Sequence, residues 1–106
     1  MANYVLIYRG GSQPESPEEQ KSVMDAWIGW FNSLGESVVD GGNPFGPSAS
    51  ITPDGSVNEG GSGLTGYSIL SADSLDAAVE AAKGCPQLTS GGSVEVYETF
   101  QVGPAS

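Results

Sequence analysis

The sequence predicts an α+β fold, and three observations carry the prediction. NYVLIYR (Asn3–Arg9) is rich in β-branched and aromatic residues, and a capped amphipathic stretch from Ser16 to Gly35 follows it. The same order, strand then helix, recurs from LTGYSILSA (Leu64–Ala72) into DSLDAAVEAAKG (Asp73–Gly84). Two segments remain to complete a sheet: the short Ser37–Asp40 and the alternating SVEVYETFQV (Ser93–Val102). The element order is β-α-β-β-α-β, with a hairpin inserted before the third strand.

The first strand is apolar on both faces, with Tyr4, Leu6 and Tyr8 on one and Val5 and Ile7 on the other. Such a strand is central and covered on both sides. In the first helix, Ser16 is the N-cap, Pro17 takes the first helical position and Glu19 completes a capping box. Glu15, Glu18 and Glu19 suit the positive end of its dipole. Val23, Trp27, Trp30, Phe31 and Leu34 make one apolar stripe, and Gly35 is the expected stop. That stripe is either helix-on-sheet packing or, at Trp27, the wall of a ligand pocket.

Ser37–Asp40 runs into DGGNPFGPS (Asp40–Ser48). There Gly41 and Gly42 permit backbone angles that other residues avoid, Pro44 and Pro47 stiffen the exit, and Phe45 can pin the loop. Ala49–Gly63 holds a short alternating segment, a Pro53-Asp54-Gly55 turn signal and a glycine-rich tail, which predicts an exposed hairpin. In the second helix Asp73 is the expected cap, Leu75, Ala78, Val79 and Ala82 form the stripe, and Gly84 is the stop. The last strand is predicted to place Val94, Val96, Phe100 and Val102 on one face.

Two right-handed split βαβ units give a ferredoxin-like sandwich, with an antiparallel sheet of order 4-1-3-2 and both helices on one face. Two helices cannot cover two faces. The other face of the sheet is therefore expected to meet a second copy, making a homodimer.

At 106 residues the chain is expected to be a single domain, 1–106. Its net charge is −10, and Arg9, Lys21 and Lys83 are its three basic residues. No basic stripe can be built from them, so neither nucleic acid nor an anionic membrane is expected as partner. The start MANYVLIYRGG has no basic n-region, and its apolar run is too short for a signal peptide or a span, so a cytoplasmic location is expected. A lone cysteine, Cys85, fits a reducing compartment. The chain has no histidine, which removes the commonest zinc ligand and the usual general base near neutral pH. No metal site and no cofactor are predicted. GGSGLTG precedes a strand rather than a helix, so it is not a phosphate loop, and DGSVNEG lacks calcium-loop spacing.

Asp40, at a strand end, is the candidate acid or base; the alternative is that it caps its own turn. Asn43 carries the same ambiguity. Arg9, the only arginine, can clamp a carboxylate or phosphate bidentately or simply pair with a nearby acid. Tyr8, Tyr67 and Tyr97 lie on strands and can line a pocket or an interface. Cys85 has no basic neighbour and is expected to be structural. If a pocket exists, the predicted site is catalytic Asp40, with Arg9, Asn43, Trp27 and Tyr67 binding the ligand.

With the elements in order, YVLIYRGG, DGGNPFGPS, TGYSIL with ADSLDAAVEAAKGCP, and GGSVEVYETF together resemble the YCII-related (DGPF-domain) family of small bacterial proteins. The resemblance implies a dimeric α/β-barrel arrangement with a pocket in each subunit. It does not imply one activity. Some relatives act on small aromatic or chlorinated compounds, and some carry a His–Asp pair suspected of catalysis, which a chain without histidine cannot supply. Three functions follow: a metal-independent lyase or isomerase acting on a small organic compound, a non-catalytic ligand-binding dimer, or an interaction module without ligand.

Overall fold

A computed structural model describes residues 2–11, 14–61 and 63–100. The elements are β1 (Ala2–Arg9), α1 (Pro17–Leu34), a 3-10 turn (Gly35–Ser37), β2 (Val38–Asp40), β3 (Ala49–Ile51), β4 (Val57–Glu59), β5 (Leu64–Ala72), α2 (Leu75–Ala82), α3 (Pro86–Thr89) and β6 (Ser93–Glu98). One sheet runs β2-β5-β1-β6 with every pair antiparallel. Setting aside the β3–β4 hairpin, this is the predicted order 4-1-3-2 of the ferredoxin-like sandwich.

β1 alternates as its sequence requires. Tyr4, Leu6 and Tyr8 are buried on the helix side with Leu70 and Ser68 of β5, while Val5 and Ile7 are half-buried on the other. Burying a leucine such as Leu6 or Leu70 contributes roughly 1.5–3 kcal/mol. Trp30, Ala78, Ala82 and Cys85 close the core from above.

The capping residues of α1 behave as expected with one difference. Ser16 Oγ accepts the Glu19 N–H at 3.1 Å, but the Glu19 carboxylate takes the Glu15 N–H at 2.9 Å, one residue before the cap. At the other end Gly35 has φ 56° and donates its N–H to Phe31 O. The stripe is buried only in its second half: Trp30 is buried and Trp27, Phe31 and Leu34 pack on the core, whereas Val23 is 39% exposed.

Four details correct the sequence reading. The cap of α2 is Ser74, whose Oγ accepts the Ala77 N–H at 3.1 Å, and not Asp73, because the helix begins at Leu75 and Ser74 is the extended residue directly before it. A short helix, α3, begins at Pro86 in a stretch to which the sequence reading assigns no element. β6 stops at Glu98, since Thr99 already spends its N–H and its Oγ1 on Asn3 O, near the start of β1. Phe100 consequently does not join the face of Val94 and Val96 and is 81% exposed; Val102 lies outside the described residues.

The predicted hairpin is present, with Ala49 opposite Glu59 and Ile51 opposite Val57. Its turn is held by the Asp54 carboxylate, which accepts first from Thr52 Oγ1 and then from Ser56 N–H and is thereby held down at about 2.

Candidate functional site

The turn after β2 is tied to its neighbours by hydrogen bonds that read like a strand with a kink. Asp40 Oδ1 accepts the Gly42 N–H at 2.8 Å, which closes an Asx-type turn. Gly42, at φ 76°, then lies against the Tyr67 carbonyl. Beyond it the chain rejoins β5: Asn43 O accepts from Tyr67 N–H, Pro44 bridges to Gly66, and Phe45 N–H donates to Thr65 O.

Beneath this turn runs a buried polar chain. The Tyr8 hydroxyl meets Ser68 Oγ at 2.6 Å, and Ser68 Oγ in turn donates to Gly41 O at 2.7 Å. Three strand segments are joined by two side chains. Burial pushes the Tyr8 phenol above its ordinary range, so it stays protonated and remains a donor.

The predicted site residues fall on two sides of the sheet. Tyr67 pairs directly with Ile7 and so shares its face, opposite to Tyr8. Arg9 is on that open face too, with Nη2 3.2 Å from Glu95 Oε2, and the Tyr97 hydroxyl donates to Glu95 Oε1 at 2.5 Å. Tyr97 first, then Arg9, holds the Glu95 carboxyl below its usual range. Phe45 stacks on Tyr67 with centroids 5.8 Å apart. Trp27 is on the helix side, edge-on to Tyr8 at 5.1 Å and beside Trp30 at 5.8 Å. The sheet therefore separates Trp27 from Arg9 and Tyr67, and Asp40 is exposed at the strand end with its carboxylate engaged in the turn.

Two concavities formed by the described residues bear on the site. The larger, about 760 Å³, is a groove between α1 and α3, with Trp27 and Trp30 as aromatic walls and Val23, Glu19, Pro86 and Gln87 around them. A smaller hollow of about 410 Å³ sits at the foot of the hairpin, between Phe45, Ala49 and Leu64. Of the five predicted site residues, Trp27 lines the groove. Sequence reasoning missed Ser68 and Gln87. Ser68 was detectable, because a hydroxyl in phase with Leu70 on β5 must face the core and needs a partner. Gln87 stands in a four-residue helix that has no periodicity to read.

Cys85 is buried, as expected, though it caps α3 and so does stand at a helix start. Burial wins: the thiol is pushed up to about 11, against the lowering by the Gln87 N–H. Folded protein should thus alkylate with iodoacetamide far more slowly at pH 8 than after unfolding. Because the folded pKa is raised, this thiol's contribution to stability is complete below about pH 9 and is lost as pH rises toward 11. Equal alkylation rates in folded and unfolded protein would overturn this placement. No group of three His, Cys, Asp or Glu side chains suited to a metal ion occurs among the described residues, and no helix is long and apolar enough to cross a membrane.

Comparison with known proteins agrees with this architecture. A solved structure of 5-chloro-2-hydroxyhydroquinone dehydrochlorinase (TftG) from Burkholderia phenoliruptrix AC1100, in complex with 2,5-dihydroxybenzoquinone, superposes with a TM-score of 0.55. It is 19% identical, and the match covers 94% of this chain and 95% of that one, so the two share a fold. No curated protein matches the sequence. The model of the YCII-related domain matches residues 2–102, nearly the whole length, and the chain belongs to that family.

Proposed function

We propose that this protein is a homodimer that binds a small organic molecule, one per copy, in the groove between α1 and α3. The observation that carries the reading is the groove: its volume of about 760 Å³ suits a small ligand, and two tryptophans wall it. The dimer is supported by the open sheet face, where Val5, Ile7, Tyr67 and Ile69 are only half-buried, with α1 and α2 packed on the opposite side. A contiguous apolar sheet face of this kind is ordinarily covered by a partner.

A second reading is a metal-independent lyase or isomerase acting on a small organic compound. Its support is the shared fold with TftG, a dehydrochlorinase solved with a small planar quinone. In that reading Asp40 is the acid or base, Arg9, Asn43 and Tyr67 hold the ligand, and Asp40 gives up the Gly42 N–H during turnover.

Sedimentation at micromolar concentration and a tryptophan-fluorescence titration with a panel of small aromatic compounds test the first reading. The expected results are a two-chain particle and a saturable change in emission, because both tryptophans line the groove. A stable monomer removes the dimer, and a flat titration removes the groove. Asp40→Asn should leave binding in the groove unchanged; loss of any turnover with binding intact would favour the second reading.

A further inference from the structure

Resting on the groove reading, we infer that its ligand is a small aromatic cation, an amidinium or ammonium group on a ring, and not a carboxylate, phenolate or phosphate. The groove has few hydrogens left to offer. Gln87 Nε2 donates to Arg9 O at 3.1 Å and to Gly10 O at 2.8 Å, which uses both amide hydrogens and leaves Oε1 as an acceptor. Ser90 Oγ donates to Gln87 O at 2.9 Å, and Ser33 Oγ donates to Trp30 O at 2.6 Å. Each hydroxyl then has only lone pairs to present. The indole N–H of Trp30 goes to Ala81 O at 3.1 Å. Among the described residues, the hydroxyls of Ser22 and Thr89 and the single indole N–H of Trp27 are the lining side-chain donors that remain.

Charge points the same way. Among the described residues Glu19 is the one acidic side chain lining the groove, and no lysine or arginine lines it. Lys21 and Lys83 are held by Asp25 and Glu80 at 3.0 and 2.8 Å, and Arg9 is across the sheet beside Glu95. The chain's net charge of −10 adds a repulsive field for any anion. An anionic ligand here would shed its water without gaining a cation or a set of N–H donors. A cationic ring would gain the Glu19 carboxylate, several lone pairs and the face of Trp27. One force opposes this: the N-terminus of α1 carries partial positive charge, worth about 0.3–1 kcal/mol against a cation. Glu18 and Glu19 in the first turn, with Glu15 before it, offset that charge.

Benzamidine, benzamide and benzoate test the inference, since they keep one shape and differ in charge. Tryptophan emission is followed with each at low ionic strength. Benzamidine should bind, benzamide more weakly, and benzoate not at all. Glu19→Gln, which keeps an acceptor for the Glu15 N–H, should weaken benzamidine roughly three- to tenfold and leave benzamide unchanged. Benzoate binding as tightly as benzamidine, or Glu19→Gln without effect on benzamidine, would overturn the charge assignment while leaving the groove in place. No response to any of the three would overturn the groove and the cation together.

Discussion

Replacing Gly42 by alanine is expected to cost the protein on the order of 3–5 kcal/mol, enough to unfold much of the population. Gly42 sits at φ 76°, where a residue with a side chain pays about 1–2 kcal/mol for the backbone alone. The larger part is steric. A Cβ there would fall on the Tyr67 carbonyl oxygen, with Tyr67 C at 2.6 Å and Ser68 Cα at 3.2 Å, and all of these are backbone atoms of β5. Nothing flexible can yield, so the turn must lift. Lifting it breaks the Gly42 N–H bond to Asp40, the Tyr67 N–H bond to Asn43 O and the Ser68 bond to Gly41 O. Gly41→Ala is the control: its φ is not positive, and its Cβ would meet the Phe31 ring at 3.9 Å, ordinary contact. Urea unfolding measures both. A Gly42→Ala loss no greater than that of Gly41→Ala would show that the turn is not packed against β5 as described.

Ser68→Ala is expected to cost about 2–4 kcal/mol, because it takes a partner from the buried Tyr8 hydroxyl and from the part-buried Gly41 O at once. Ser68 is 0% exposed, and its Oγ serves the Tyr8 hydroxyl and Gly41 O. Tyr8→Phe should cost only about 1 kcal/mol, since Ser68 keeps its bond to Gly41 O. The double variant should lose less than the sum of the two singles, because removing Tyr8's hydroxyl also removes one of the groups that Ser68→Ala would strand. Thermal or urea melts of the four proteins close the cycle. Strictly additive losses would mean that the Tyr8–Ser68 contact carries no coupling.

Local rules explain which parts were legible in the sequence. The alternation of Tyr4, Leu6 and Tyr8 against Val5 and Ile7 is a period of two and needs no long-range information. Ser16-Pro17 and Gly35 mark the ends of α1 through their own chemistry. The choice between Asp73 and Ser74 was not legible, since both are good caps and one residue's offset is settled by where the helix packs. The site was legible only as strand ends. Arg9 and Asp40 do close their strands, but which face each side chain takes depends on register. Register shifts fall at Tyr8/Arg9 and Val38/Asp40, next to the very residues in question. Assigning Trp27 and Tyr67 to opposite faces required knowing that Tyr67 stands opposite Ile7, a pairing that joins residues far apart in the chain.

That pairing pattern also governs the order of assembly. β1 is the first strand in the chain, yet its two neighbours begin at Leu64 and Ser93. Setting Ala2 against Ala72 and Tyr4 against Glu98 closes loops that span most of the polypeptide. The entropy of those closures is spent before any sheet contact repays it, so topology rather than final stability sets the pace. During synthesis β1 waits with both edges open until β5 is made, and with one edge open until β6 is made. Over that interval the acidity of the chain acts as a kinetic safeguard, since mutual repulsion keeps unfinished copies from pairing edge to edge.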